Sequence, residues 1–503
     1  MNYHSIGYFA FFLPIVICLY SIIPPNRRWY VLLGGSAVFF VLWSKFAAAW
    51  VLVTAAIAWF GGNTLAKMKK APKGADRKAF KKKKRQILTI AVLAAVVLLA
   101  VLKYTNFFGS TFFGSAWKWK QITVPIGISY FTLQAISYLC DISDGKIEPA
   151  PSYFHLLLYL GFFPTLAEGP IVRFADVSGT LFAGTPVTYI NLTHGYQRIL
   201  WGLMKKTVIA DHIAPAMSSF YDTYSTVGSM SLAAMIFCTI QLYADFSGTI
   251  DIAIGTAQIF GIPLTENFRQ PFFAKNAGDF WRRWHITLGA FLRTYIFYPV
   301  SLSKPVRTLT KHVQKVFGKK AARYVGPMIA LLCVWLTSGI WHGPSWTYVG
   351  YGLYYFVLIF IEVLLEDWIK KHINENALWF RIFRFIKLCI LVGVGELYFM
   401  APSVETAFTM MKSIFVNFRP EVLLNEWSML GPGLTDYMII FFSFGIVIAV
   451  SICKEKKISI RAKLEKLPEP VRWCFWYAAI AYVLLFAAYG PNFRAIDMMY
   501  AGF

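Results

Sequence analysis

The sequence predicts an all-α, polytopic integral membrane protein, and three observations carry that prediction. Of its 503 residues, 57% are hydrophobic, 18% aromatic and only 15% charged, with a mean hydropathy of +0.54. A soluble domain carries about 25% charged residues. The charge is also crowded: Lys67 to Arg85 holds eleven Lys/Arg against the single acid Asp76, and Lys304–Arg323 and Lys454–Arg472 hold seven each. Between these runs lie apolar stretches of membrane-spanning length. Together these features exclude a disordered chain, a coiled coil, a collagen-like fibre and a disulfide scaffold.

A spanning helix needs about 20 mostly apolar residues. Such stretches run over 6–23, 29–46, 47–64, 87–103, 122–140, 191–211, 229–260, 324–341, 344–366, 381–400, 436–452 and 473–489. The stretch 153–166 is shorter and reads as a further crossing or a half-helix. The length criterion therefore gives about 11 to 13 crossings. The first stretch does not read as a signal peptide. No basic residue precedes it, and Pro24-Pro25 follows where small cleavage-site residues belong. No internal repeat is evident, which argues against an inverted-repeat transporter.

Basic runs between apolar segments mark cytoplasmic loops. That rule places 66–86, 302–323, 367–387 and 453–472 inside, and 104–121, 401–435 and both termini outside. The net charge of +24 thus reads as topology and as contact with anionic membrane lipid rather than as a nucleic-acid footprint. No aromatic-basic reading module accompanies it. The seven cysteines form no C-x-x-C pair, and most lie inside apolar stretches as small buried hydrophobes. No metal site is implied.

The middle of the chain differs from its ends. Residues 241–300 are apolar enough for a membrane yet hold Asp245, Asp251, Asp279, Arg282, Arg283, His285 and Arg293. Polar backbone at membrane depth survives only when enclosed by protein or lining a wet cavity. Residues 262–300 are therefore expected to form re-entrant or interfacial helices.

Ionisable residues inside membrane segments default to functional hypotheses. Two of the eight histidines stand out. His285 closes Asp279-Phe-Trp-Arg-Arg-Trp-His285, and His342 sits where an apolar helix breaks at Gly343-Pro344. Ser338, one turn earlier, is placed to orient the His342 imidazole. Trp281 and His285 are spaced to share a helix face, and Asp279 and Arg283 to pair. An imidazole beside a bound thioester can take a proton from an acceptor hydroxyl and return it to the leaving sulfur. The competing structural reading makes each histidine a helix cap, and the other six are placed in that class. Asp245 reads equally as a cavity wall or as a buried brace, and Asp251 reads as a brace. Arg173 either pairs with Glu168 or holds a phosphate or pantetheine group of a donor. No P-loop, no H-E-x-x-H and no nucleophile elbow occurs.

Several tags follow one another along the chain. They are Val124-Pro-Ile-Gly-Ile-Ser-Tyr-Phe-Thr-Leu-Gln-Ala-Ile-Ser-Tyr138, Phe163-Pro-Thr-Leu-Ala-Glu-Gly-Pro-Ile-Val-Arg173, Gln241-Leu-Tyr-Ala-Asp-Phe-Ser-Gly248, Glu266-Asn-Phe, the His285 motif, Gly339-Ile-Trp-His-Gly343 and Trp346-Thr-Tyr-Val-Gly-Tyr-Gly352. In these the sequence resembles the membrane-bound O-acyltransferase (MBOAT) family, in the bacterial branch that acts on alginate, peptidoglycan and teichoic acid. The resemblance implies one membrane domain over 1–503, with N-terminal helices at 1–120, a catalytic core at 121–400 and C-terminal helices at 401–503. It implies a ring of helices around a thin centre, crossed by a tunnel. It implies His342 as the main catalytic residue and His285 as its partner, with Trp281, Trp284, Trp341, Asn267 and Asp245 lining the tunnel. The alginate-type pattern has a histidine where Tyr354-Tyr355 stands, and Met498-Met-Tyr-Ala-Gly-Phe503 matches the family's aromatic ending only loosely.

The expected function is transfer of an acetyl group from cytosolic acetyl-CoA, a substrate rather than a tightly bound cofactor, across the cell membrane. The acceptor is an extracytoplasmic polysaccharide, reached through a serine-hydrolase-like partner subunit. The alternatives are D-alanyl transfer from a carrier-protein thioester to teichoic acid and, from other classes, a non-catalytic transporter or flippase, or a scaffold.

Overall fold

The computed structural model describes residues 3–68, 76–114 and 124–489. Part of the first basic run, the end of the 104–121 loop, the first two residues of the 122–140 stretch and the ending Met498–Phe503 lie outside the described residues. Every regular element among the described residues is helical, as the composition predicts.

Contacts divide the chain into two compact units, one of residues up to 199 plus 250–265, the other of 200–249 and 266 onward. The first unit holds α1 (Leu13–Ile22), entered through a π-turn at Tyr8–Phe12, then α2 (Arg28–Ser44), α3 (Ala49–Lys67), α4 (Arg77–Phe113), α5 (Ile128–Ser143), α6 (Tyr153–Gly161) and α7 (Phe174–Leu181). Helices α8 (Tyr189–Leu203) and α10 (Gly228–Ile259) contribute residues to both units, and α9 (Asp211–Asp222) belongs to the second. The second unit continues with α11 (Ala277–Arg283), α12 (Ile286–Leu292), α13 (Tyr298–Ser301), α14 (Lys304–His342), α15 (Trp346–His372) and α16 (Leu378–Met400). It ends with α17 (Val404–Val416), α18 (Pro420–Glu426), α19 (Leu434–Glu455), α20 (Ile460–Leu464) and α21 (Glu469–Phe486).

Among the described residues, six helical stretches are long and apolar enough to cross a membrane: Pro25–Lys67, Arg77–Phe113, Gly228–Ile259, Lys304–His342, Trp346–His372 and Leu434–Glu455. The other predicted stretches are helical but shorter, broken or charged. The 6–23 stretch opens on a π-turn, 191–211 runs into a π-helical segment at Met204–Ala210, and α16 carries Arg384, Lys387 and Glu396. The short stretch at 153–166 is a half-helix. Its nine helical residues, Tyr153–Gly161, reach about 13 Å, against a hydrocarbon core of about 30 Å.

Two of the predicted basic loops prove to be helix. Lys304–Phe317 forms the first turns of α14, which bends at Gly318 (φ 80°) before continuing to His342. Arg77–Arg85 likewise opens α4, whose 37 residues extend about 55 Å and so project beyond the bilayer.

In the first unit, buried side chains hold the extended backbone between helices. The Ser36 hydroxyl accepts from the Phe163 amide at 3.1 Å, and Ser44 from the Ile126 amide at 3.1 Å. Gly127 explains part of the Val-Pro-Ile-Gly-Ile-Ser tag. It has φ 74°, and a Cβ there would overlap the Leu166 carbonyl.

In the second unit, two glycines set how closely α14 and α15 pack. A Cβ on Gly339 would meet the Tyr348 carbonyl, and one on Gly352 the Trp335 carbonyl. Small residues at facing positions let membrane helices approach this closely. The consequence is local: the turn carrying His342 is pinned between two helices in contact along their length.

Candidate active site

His285 is placed by a break rather than by a helix. The Asn276 side chain caps α11 by accepting from the Asp279 amide at 2.7 Å. Asp279 also pairs with Arg283 at 3.3 Å, as their spacing predicts. The helix then stops: Trp284 is extended, and His285 adopts a left-handed backbone with φ 47° and ψ 49°. That conformation costs a non-glycine residue roughly 1–2 kcal/mol, and such outliers persist only where surroundings enforce them. The break corrects one expectation. Trp281 and His285 do not share a helix face, because the left-handed residue turns the chain out of α11.

Asn267 is what enforces the turn. It is fully buried, and its carbonyl oxygen accepts from the Ile286 amide at 3.0 Å. Its Oδ1 accepts from the Thr287 amide and the Thr287 hydroxyl, each at 3.0 Å, and lies 3.3 Å from His285 Nδ1. A backbone N–H can only donate, so the atom facing it is the amide oxygen. His285 Nδ1 must then carry the proton, leaving the lone pair on Nε2. A neutral imidazole with its tautomer fixed in this way can act as a base. Asn267→Ala is expected to cost about 1–3 kcal/mol of stability through the unsatisfied Thr287 amide, and to lower the acyl-transfer rate as well. Thermal unfolding and an activity assay on the same preparation check both effects.

His342 ends α14, and Gly343 continues in fully extended backbone. Ser345 then starts α15, its hydroxyl accepting from the Thr347 amide at 3.2 Å. The His342 ring lies 5.0 Å from Phe399, 6.0 Å from Tyr351 and 5.1 Å from Trp341. Trp341 also stands 6.0 Å from the His285 ring. The two imidazoles thus share one neighbour and lie within about 11 Å of each other, centroid to centroid. Both are enclosed by protein, at 2% and 4% exposure.

The remaining predicted residues fall into distinct surroundings. Trp281 packs against Trp335 at 4.9 Å and Tyr355 at 4.8 Å. Trp284 is enclosed by Phe268, Phe280 and Tyr243, which makes it a support for the turn at His285. Ser338 is buried one turn before His342. Arg173, in the first unit, is half-buried at the start of α7, and Glu168 is fully buried in the same unit.

Asp245 belongs to an ionic brace. Lys206, at 1% side-chain exposure, bonds Asp245 at 2.9 Å and Asp211 at 2.8 Å. Asp251 pairs with Arg198 at 2.6 Å in the first unit, the brace expected of it. Lys206 was missed by the sequence reading, although a Lys-Lys pair inside the apolar 191–211 stretch is the signal that finds it. Glu396 was missed too. It interrupts the apolar run Val392-Gly-Val-Gly-Glu396-Leu-Tyr-Phe and is fully buried on α16.

The described helices, six of them long and apolar enough to cross a membrane, thus enclose two histidines that share Trp341 as a neighbour. Residues 88–394 match the model of the MBOAT, membrane-bound O-acyltransferase family. The chain belongs to that family and is an acyltransferase. It is 30% identical over 424 residues to "Probable alginate O-acetylase AlgI" of Azotobacter vinelandii, covering 82% of this chain and 78% of that protein. It is 31% identical over 365 residues to the peptidoglycan O-acetyltransferase of Helicobacter pylori, covering 66% and 65%. With the teichoic acid D-alanyltransferase of Bacillus subtilis it shares 31% identity over 251 residues, covering 49% and 61%.

Proposed function

We propose that this chain takes an acetyl group from cytosolic acetyl-CoA and delivers it across the cell membrane for O-acetylation of an extracytoplasmic polysaccharide, through a serine-hydrolase-like partner subunit. The single observation that carries the reading is the enclosed pair of imidazoles that share Trp341 as a neighbour. His342 removes the proton from the acceptor hydroxyl as that oxygen attacks the thioester carbonyl. The C–S bond breaks, the ester forms, and His342 returns the proton to the leaving thiolate. No net proton and no nucleotide hydrolysis is required. His285, its Nδ1 proton directed at Asn267, turns Nε2 toward the same reaction as the second base. Trp341 borders both rings, and Ser338 and Trp281 line the approach.

Acetyl rather than D-alanyl transfer is supported by extent of likeness: relatives named for O-acetylation match up to 85% of the chain, those named for D-alanyl transfer 49% and 50%. The test is the group released by mild base from envelope polymers of cells with and without this protein. Acetate that depends on the protein is expected. Protein-dependent D-alanine without acetate overturns the reading.

A further inference from the structure

Away from the histidines, an apolar groove of about 610 Å³ runs between α10, α16 and α19. All of its walls belong to the second unit. α10 lines it from Leu232 to Tyr243, α16 from Phe385 to Gly393 and α19 from Phe444 to Ser451, and the turn at Pro271–Phe273 completes it. Ile236, Phe385 and Ile390 stand exposed along it, so it opens sideways, toward lipid. The Thr239 hydroxyl already donates to the Met235 carbonyl at 2.8 Å and asks nothing of an occupant.

We propose that an anionic phospholipid of the cytosolic leaflet seats an acyl chain in this groove, with its phosphate at Arg381 and Lys454. Three features select that occupant over a helix of a partner protein. The first is length. Leu232 and Tyr243 are eleven residues apart, about 16 Å along the helix, against about 15 Å for half of the hydrocarbon core. The second is width. Spread over that length, the volume leaves a cross-section of about 40 Å², room for a hydrocarbon chain but not for a helix about 10–12 Å across.

The third feature is where the charge lies. The groove uses the part of α19 nearer its basic end and the first half of α16, which follows the basic 367–387 segment. Both walls therefore lie in the cytosolic half of the membrane. One helical turn beyond the groove stands Arg381, four residues before Phe385, and Lys454, three after Ser451. Both are exposed. The acids at this end are engaged elsewhere: Glu455 by Arg283 at 3.1 Å, Glu362 by Lys387 at 2.6 Å and Glu375 by Arg384 at 3.5 Å. A phosphate thus meets cations just where its chain enters apolar walls. The groove also reaches the turn at His285. Tyr243, which lines it, packs 5.2 Å from Phe272 and 6.0 Å from Trp284, so a seated chain buttresses the residues that hold that turn.

The experiment places the full-length protein in phosphatidylcholine vesicles containing a trace of phosphatidylglycerol or phosphatidylcholine with a photoreactive diazirine on one chain, and maps the crosslinks by peptide mass spectrometry. Phosphatidylglycerol is expected to label 385–393 and 444–451 above the exposed face of α15 at 357–365, and to exceed phosphatidylcholine there roughly 5-fold for each cation. Arg381→Gln with Lys454→Gln, both at exposed positions, is expected to erase the head-group preference. Cys389→Phe, which fills the groove, is expected to lower labelling by both lipids. Labelling of the groove no stronger than that of α15 overturns the site and leaves only ordinary boundary lipid. A wild type that labels equally with both lipids overturns the role of the two cations.

Discussion

His342→Ala abolishes acyl transfer while the protein remains folded and inserted. A positioned acid–base group contributes about 10²–10⁴-fold, and the loss is expected at the upper end of that range. The aromatic rings around His342, those of Trp341, Tyr351 and Phe399, have no base to offer. The α14–α15 junction keeps its close glycine contacts, Gly339 against Tyr348 and Gly352 against Trp335, when the side chain is truncated. Transfer rate per molecule of folded protein, normalised by size-exclusion yield, is the measurement. His285→Ala is expected to cost activity as well, but with a stability loss, since its left-handed backbone and its link to Asn267 are part of the fold.

Lys206→Ala is the largest expected effect on stability. The lysine separates two buried carboxylates, Asp211 and Asp245. Removing one member of a buried ionic group costs about 3–5 kcal/mol, because the charge left behind has neither water nor partner. Here two are left, on helices that must pack together. A domain's whole stability is only about 5–15 kcal/mol, so little folded protein is expected. Neutralising the acids as well, in Lys206→Met with Asp211→Asn and Asp245→Asn, is expected to recover much of the loss. Thermal unfolding in detergent checks both, and a single variant that unfolds at the wild-type temperature contradicts the brace.

Much of this was legible in the sequence, for physical reasons. Hydrophobic runs of bilayer length can only be helices, because lipid offers backbone groups no partner. The helix end at His342 was legible because Gly343-Pro344 follows it. The Asp279–Arg283 pair was legible because the helix persists through both residues. It stops immediately afterwards, and the positive φ at His285 is the detail that periodicity cannot supply. No local pattern marks it, since Asn267, which holds it, is eighteen residues away. The role of Asp245 stayed open for a similar reason, as its partner Lys206 lies on a different helix. Glu396 was overlooked because a lone acid in a glycine-rich apolar run carries no spacing signal. Its full burial on α16, one residue after the Gly395 backbone that the Tyr355 hydroxyl abuts, is visible in the structure alone.

Passage of an acyl group between the two faces of the membrane, by way of the enclosed histidines, is the central proposal. The most direct test loads vesicles containing the purified protein and its partner with acetyl-labelled coenzyme A on the side of the basic segments, and supplies acceptor polysaccharide only on the other. Label is predicted to appear on the far-side acceptor with wild-type protein and to stay with the coenzyme when His342 is alanine. Labelling at the wild-type rate by the His342→Ala protein, or labelling only when donor and acceptor share a side, would contradict the account.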